Sequence, residues 1–200
     1  MLGIVPFATT LAAMTRIPQV RAILLLSAVT ALLSQTVFEF GPLWLVELGA
    51  PAASYGPYWA ALVATLGVGG WLAARLRLSR RRPVLGLALL LAAAPLVLAL
   101  TGSLPVVMLA QAGLALLLAV LAVHAGLLLH DSVPSTIRAG VAGGVGTLSW
   151  VLFLPFSLGF GWLARAYGLD RAGWVLAGVG ALLAVLLVAS PRDAPRGASR

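Results

Sequence analysis

Six long apolar runs constrain the fold of this 200-residue chain more than any other feature of its sequence. They lie at approximately residues 22–46, 57–75, 83–101, 105–129, 139–164 and 172–189. Each run reaches the roughly 17–25 residues that a helix needs to cross the hydrocarbon core of a bilayer. Leucine and alanine dominate the runs and favour helix, and the alternating pattern of a membrane β-barrel is missing. The sequence therefore predicts an all-α, polytopic membrane protein with six transmembrane helices.

Composition argues against most soluble functions. Only 9% of the residues are charged, whereas a soluble domain has about 25%, so the chain has too few charges to cover a surface in water. A formal charge of +8 would suggest nucleic-acid binding in a soluble protein. Here the arginines stand between apolar runs, which membrane orientation explains better. We predict contact with the lipid bilayer and none with nucleic acid.

The arginines also predict how the helices are oriented. All thirteen basic residues are arginine, and they concentrate in alternate segments between the runs. With the N-terminus inside, eleven of them lie in inner segments, and only Arg165 and Arg171 lie in outer ones. Because basic residues concentrate on the cytoplasmic side of a membrane, both termini are expected in the cytoplasm. The membrane is expected to be a plasma or inner membrane.

The runs divide the chain into three regions. Residues 22–189 are the six-helix bundle, whose short separators contain Gly, Pro and Ser residues that end helices. Residues 1–21 carry Pro6 and Pro18 around a stretch too short to span, so we interpret them as an interfacial or linker segment. Residues 190–200 are predicted to be a disordered cytoplasmic tail.

A short repeat relates the two halves of the bundle. The sequence GWLA occurs at 70–73, at the end of the second run, and again 91 residues later at 161–164, at the end of the fifth. Three helices separate the copies, and because three is odd they cross the membrane in opposite directions. This spacing predicts a 3+3 inverted repeat, the arrangement that transporters use for alternating access. Chance recurrence of common residues is the alternative.

The segment after the second run, GWLAARLRLSRRRP, is strongly basic. It resembles the loop pattern G-x-L-x-D-R-x-G-R-R of the major facilitator superfamily of transporters. Gly70, Leu72, Arg75 and the run Arg80–Arg82 match that pattern. Ala74 replaces its aspartate and the inner glycine is absent, which is the degenerate form found in the second half of such proteins.

Two further segments are similar to the same family. VPSTIRAG at 133–140 resembles its P-x-x-x-R-G/A segment, and FGPLWLVELGAP at 40–51 is similar to the start of its second half. The resemblance covers about residues 17–190 and implies the carboxyl-terminal six-helix half of a transporter. Family members have twelve helices, with the substrate between two halves.

The resemblance implies secondary active transport of a small solute by alternating access, with or without coupled protons. The partner would be a missing N-terminal six-helix half or a second copy of the chain. The alternative is a half-size protein that does not transport, either a membrane assembly subunit or a truncated gene product.

Glu39 is the main candidate for a substrate or coupling site. It lies inside the first run, with Gln35 one helical turn earlier, and Gly41-Pro42 follows at once and is expected to kink or break the helix. Ionisable groups at membrane depth are costly and usually face a bundle interior or water. We predict that Glu39 binds a cationic group or carries a coupling proton. Hydration near the outer interface, or a bond to a neighbouring helix, is the alternative.

Two other polar residues fall within the fourth run. Gln111 is predicted to donate a hydrogen bond to the substrate, or else to bond a neighbouring helix. His124 can titrate near neutral pH, or it bonds across helices. A cytoplasmic gating cluster is predicted from the inner loops, and its members are Arg75, Arg80, Arg81, Arg82, Asp131 and Arg138.

Glycines predict where helices approach closely. Gly140 and Gly144 form a GxxxG spacing, and Gly67 and Gly70 lie together on the second run. We interpret both sets as packing surfaces on which bundles slide. The chain has no cysteine, and its two histidines and five acidic residues are scattered, so neither a metal site nor an enzyme or cofactor is predicted.

Overall fold

The structure is a computed structural model that describes residues 18–190 except 77, 134, 136 and 137. Within these residues every regular element is helical. The six long helices are α1 (Pro18–Glu47), α2 (Tyr55–Arg75), α3 (Arg81–Leu100), α4 (Leu104–Ser132), α5 (Arg138–Tyr167) and α6 (Leu169–Ala189). All six are long and apolar enough to cross a membrane. The predicted all-α fold with six candidate membrane spans is therefore confirmed for the described part of the chain.

Several helices extend beyond the apolar runs that predict them. The first helix begins at Pro18, four residues before the predicted bundle, so it includes the last part of the predicted linker. The fourth helix continues to Ser132, past the run that ends near 129. The rest of the predicted linker, and the predicted tail from 191 onward, lie outside the described residues.

A single glycine forms the connection between α5 and α6. Gly168 alone connects α5 to α6, and its φ of 90° is one that side-chain-bearing residues rarely adopt. Its amide donates to the Ala164 carbonyl at 3.0 Å, and its carbonyl accepts from the Ala172 amide at 3.3 Å. The reversal therefore keeps backbone hydrogen bonds on both sides without an intervening loop.

Four helices form the centre of the bundle. Helix α4 packs against α1, α2 and α3, while α1 also packs against α5 and α6, and α3 packs extensively against α6. Helix α2 is attached mainly through α4, and α5 through α1 and α6. Consequently α2 and α5 are the two least buried helices.

The α3–α6 contact brings the backbones of two long helices close together. A Cβ on Gly173 would lie 2.8 Å from Ala99 Cα, and a Cβ on Gly180 would lie 2.7 Å from the Leu91 carbonyl oxygen. These glycines allow the two backbones to touch, as small residues do in membrane bundles.

The outer surface of the bundle is strongly apolar. Leu89, Leu109 and Leu158 are each more than 70% exposed, and Trp71 and Trp162 are also exposed. An apolar surface of this extent suits lipid rather than water. Together with the six candidate spans, it describes an integral, multi-pass membrane protein.

Candidate functional site

Pro42 lies within α1, which does not break there but continues from Pro18 to Glu47. Pro42 has no N–H, so the Phe38 carbonyl loses its usual donor four residues later. Gly41, directly before the proline, is buried and lies against Tyr58 of α2 and Gln111 of α4. The predicted weak point of α1 is therefore the place where three helices meet.

Two hydrogen bonds join these helices. The Tyr58 hydroxyl donates to Gln111 Oε1 at 2.6 Å, and Gln111 Nε2 donates to the Gly41 carbonyl oxygen at 3.2 Å. Tyr58 and Gln111 are each only 1% exposed. Gln111 therefore makes the interhelical bonds that were the alternative to substrate binding, and its contact with a substrate stays a prediction. Tyr58 was not singled out from the sequence, because nothing local indicates its partner 53 residues away.

Gln35 and Glu39 lie on a different face of α1 from this network. Glu39 is exposed, and Gln35 is partly buried. Gln35 Oε1 is buried without a hydrogen-bond partner among the described residues. By contrast, the hydroxyls of Thr30 and Ser34 donate to carbonyl oxygens one turn earlier, at 2.6 and 2.8 Å. Glu39 is thus accessible on this face, whereas the Gln35 oxygen is unpaired but enclosed by the described chain.

The residues on either side of Glu39 show where its face opens. The Phe38 ring lies 6.3 Å from the Trp59 ring of α2, and the Phe40 ring lies 4.9 Å from the Phe160 ring of α5. Successive residues on a helix are about 100° apart, so Glu39 points between the two contacts. Its face therefore opens between α2 and α5, the two least buried helices.

An uncovered stripe continues from Glu39 toward the end of α1. Leu43 and Val46 follow Gln35 and Glu39 at the three- and four-residue spacing of one helix face, and both are exposed. Within the described chain, no helix packs over this stripe. The candidate site is therefore an uncovered face of α1 that carries the Glu39 carboxylate, with the Gln35 oxygen buried one turn away.

His124 does not join this site. It is partly buried on α4, thirteen residues after Gln111, which is about 20 Å along the helix and about 220° around it. The structure therefore separates His124 from the network at Gly41. Its titration in transport stays a prediction.

The predicted gating residues are dispersed over the end of α2, the start of α3, the end of α4 and the start of α5. The Arg75 guanidinium stacks on the Trp71 ring, 3.7 Å from its centre. Arg138 Nη2 donates to the Val133 carbonyl oxygen at 3.3 Å. The other members are exposed, namely Arg80, Arg81, Arg82 and Asp131. Their action as a gate stays a prediction.

The predicted glycine surfaces differ from the glycines that bring helices together here. Gly67 and Gly70 have nothing within 4 Å of an added Cβ, so they touch no other helix of the described chain. By contrast, a Cβ added to Gly69 would lie 2.5 Å from Ala119 Cβ, so Gly69 packs closely on α4. Gly140 is exposed and Gly144 is partly buried. A sliding role for these four residues stays a prediction.

The described residues contain no group of three or more potential metal ligands. No protein-family model, no curated protein and no solved structure matches the chain. The resemblance to the major facilitator superfamily therefore stays a prediction that rests on the motifs in the sequence.

Proposed function

We propose that this chain is the six-helix half of a secondary transporter of the major facilitator type, which moves a small solute across a plasma or inner membrane by alternating access. Both termini are cytoplasmic in this proposal. The observation that carries it is the uncovered face between α2 and α5, which holds the exposed Glu39, with the buried and unpaired Gln35 oxygen one turn away.

The position of Glu39 supports an aqueous cavity. It lies eight residues before the end of α1, which is about 12 Å along the helix. A carboxylate at the bilayer centre costs about 2.5–3.5 kcal/mol on insertion scales. Contact with lipid is therefore unfavourable for Glu39, whereas water or a second helical bundle over this face removes much of that cost. A transporter whose solute path lies between two bundles supplies both.

The helix contacts support the 3+3 inverted repeat. Exchanging the first three helices with the last three maps the α1–α4 and α3–α6 contacts onto themselves. The same exchange converts α2–α4 into α5–α1, and α3–α4 into α6–α1, and all four of these contacts are present. The exception is α5–α6, because α2 and α3 make no comparable contact.

The chemistry of the site favours a positive charge. Gln35 Oε1 and the Glu39 carboxylate are both acceptors, one helical turn apart on α1. A protonated amine or a coupling proton satisfies the exposed Glu39 carboxylate, while an anionic solute would be repelled by it. The proposed cargo is therefore a small cationic solute, or a neutral one that moves with a proton.

Water access to this face is the first test. Because the chain has no cysteine, Glu39→Cys gives a single thiol for labelling with a membrane-impermeant maleimide in native membranes. We expect labelling from the outer side. Leu109→Cys is the control, because Leu109 is 74% exposed on α4 and only about 8 Å from the start of that helix, yet is expected to face lipid and to resist labelling.

An unlabelled Glu39→Cys would overturn the aqueous cavity and favour the assembly subunit, in which a permanent partner covers the face. Equal labelling of Leu109→Cys would show that depth alone controls reagent access.

Glu39→Gln tests the coupling role in the assembled transporter, with both halves in the membrane. We expect the variant to lose solute movement driven by a pH gradient, because the amide cannot carry the proton. Glu47→Gln is the matched control, since Glu47 ends α1 and is exposed. Unchanged pH-driven transport in Glu39→Gln would remove the coupling role.

A further inference from the structure

An apolar groove runs between α3 and α6, at the end of the bundle where α3 begins and α6 ends. Its volume is about 410 Å³, within the range of small-molecule sites in proteins. On α3 its lining runs from Leu85 to Ala92, and on α6 from Ala184 to Ala189. Every lining residue is leucine, alanine or valine. The groove is about 10 Å long, given the helical rise along α3.

The groove exists because the packing between α3 and α6 changes along their length. Toward the middle of the helices, Gly180 lies against the Leu91 carbonyl and Pro95, and no space remains. Toward the groove the small side chains of Ala88 and Ala184 leave the gap unfilled. Leu89 beside it is 71% exposed, so the groove is open at the surface of the bundle that lipid surrounds.

Two arginines stand at the mouth of this groove. Arg81 precedes Leu85 by four residues and Arg82 precedes it by three, so both lie on the groove side of α3, about one turn toward its start. Both are exposed. Helical side chains lean toward the helix start, which directs these guanidinium groups away from the apolar groove and toward the level of the lipid headgroups.

We propose that this groove is a binding site for an anionic phospholipid, with one acyl chain between α3 and α6 and the phosphate held by Arg81 and Arg82. The apolar lining has no polar group to offer a solute, whereas it matches a hydrocarbon chain. Paired guanidinium groups are strong phosphate ligands, and basic residues beside a span attract anionic headgroups.

A second copy of the chain is a poorer occupant of the groove. A symmetric pair with its axis along the membrane normal would bring Arg81 and Arg82 of both copies to the same level. Their like charges would repel each other there, whereas an anionic headgroup attracts them. The lipid site does not depend on the proposed transport function.

Native mass spectrometry of the purified full chain tests the site. The chain in detergent is titrated with an equimolar mixture of dioleoylphosphatidylglycerol and dioleoylphosphatidylcholine, which differ in headgroup charge and share their acyl chains. We expect one preferentially retained phosphatidylglycerol. Arg81→Gln and Arg82→Gln should each weaken it about fivefold and together about 30-fold, following the usual contribution of a basic residue near anionic lipid. Arg21→Gln, on exposed α1 surface, should leave it unchanged.

Filling the groove tests the position of the acyl chain. Ala92→Phe places a ring in the groove and should weaken binding of phosphatidylglycerol, whereas Ala61→Phe adds the same ring to an exposed position on α2 and should not. Gel filtration and circular dichroism establish that each variant is folded before its lipid binding is compared.

Four results would overturn the proposal. Equal retention of the two lipids would indicate a shell without headgroup selectivity. An Arg21→Gln effect as large as that of Arg81→Gln would indicate diffuse attraction by net charge. Undiminished binding by folded Ala92→Phe would place the acyl chain outside the groove. A dimer whose interface excludes lipid from the groove would make a second copy of the chain its occupant.

Discussion

The buried hydrogen bond between Tyr58 and Gln111 makes a quantitative prediction about stability. Gln111→Leu keeps a side chain of similar size but removes the acceptor of the Tyr58 hydroxyl, at 2.6 Å, and the donor to Gly41, at 3.2 Å. A buried polar group without a partner costs about 1–3 kcal/mol. Interhelical hydrogen bonds in membrane proteins average about 0.6 kcal/mol in double-mutant cycles and reach about 1.7. Because both side chains are 1% exposed, we expect about 1–1.7 kcal/mol of coupling.

The assay is a double-mutant cycle on the free energy of unfolding in bicelles, with Gln111→Leu, Tyr58→Phe and the double variant. Each single change should destabilise the chain by about 1–2 kcal/mol, because each leaves one buried group unpaired. In the double variant, the second substitution should lower the free energy of unfolding by much less than the same substitution does alone. Ser34→Ala is the control, because the Ser34 hydroxyl bonds only its own helix, at the Thr30 carbonyl. Additivity within about 0.3 kcal/mol would refute the reasoning, since it would mean that the two groups do not depend on each other.

Two glycine substitutions test the close contacts of the bundle. Gly41→Ala should destabilise α1, because its Cβ would meet the Gln111 side chain at 3.1 Å; an unfolding free energy equal to or above wild type would contradict this. Gly180→Ala should cost about 1–3 kcal/mol, as overpacking does, because its Cβ would lie 2.7 Å from the Leu91 carbonyl oxygen. Gly178→Ala is its control, with nothing within 4 Å, and should stabilise by up to about 1 kcal/mol through helix propensity.

The number and approximate positions of the helices could be predicted from the sequence, while their ends could not. The length of an apolar run reports the hydrocarbon core that a helix crosses. The helix itself continues past that core as long as its backbone stays regular. This is why α1 includes Arg21 and α4 includes Asp131, although both residues lie outside the apolar runs.

The composition of the candidate site could be predicted only in part. A carboxylate and a glutamine one turn apart on α1 are visible in the sequence. The periodicity of α1 does not show which helices lie beside it, so the placement of Glu39 between α2 and α5 required the aromatic contacts of its neighbours. The partners of Gln111 lie 53 and 70 residues away, a separation for which no local pattern exists.

The glycines that pack α6 against α3 could not be predicted from the sequence, because the chain has so many glycines. The chain has 22 glycines, and a GxxxG spacing is common by chance in such a sequence. Gly173 and Gly180 stand seven residues apart on one face of α6, and both lie against the backbone of α3. The sequence analysis instead singled out Gly67 and Gly70, which touch no other described helix.

The pairing of α3 with α6 has a consequence for the order in which the protein is made. Helix α3 leaves the ribosome before α4, α5 and α6, so the face of α3 that includes Leu91 and Ala99 waits for its partner until α6 has been made. Earlier helices can insert one by one, but this pairing forms only when α6 arrives. A ribosome stalled before residue 169 would therefore expose that face to membrane chaperones and proteases.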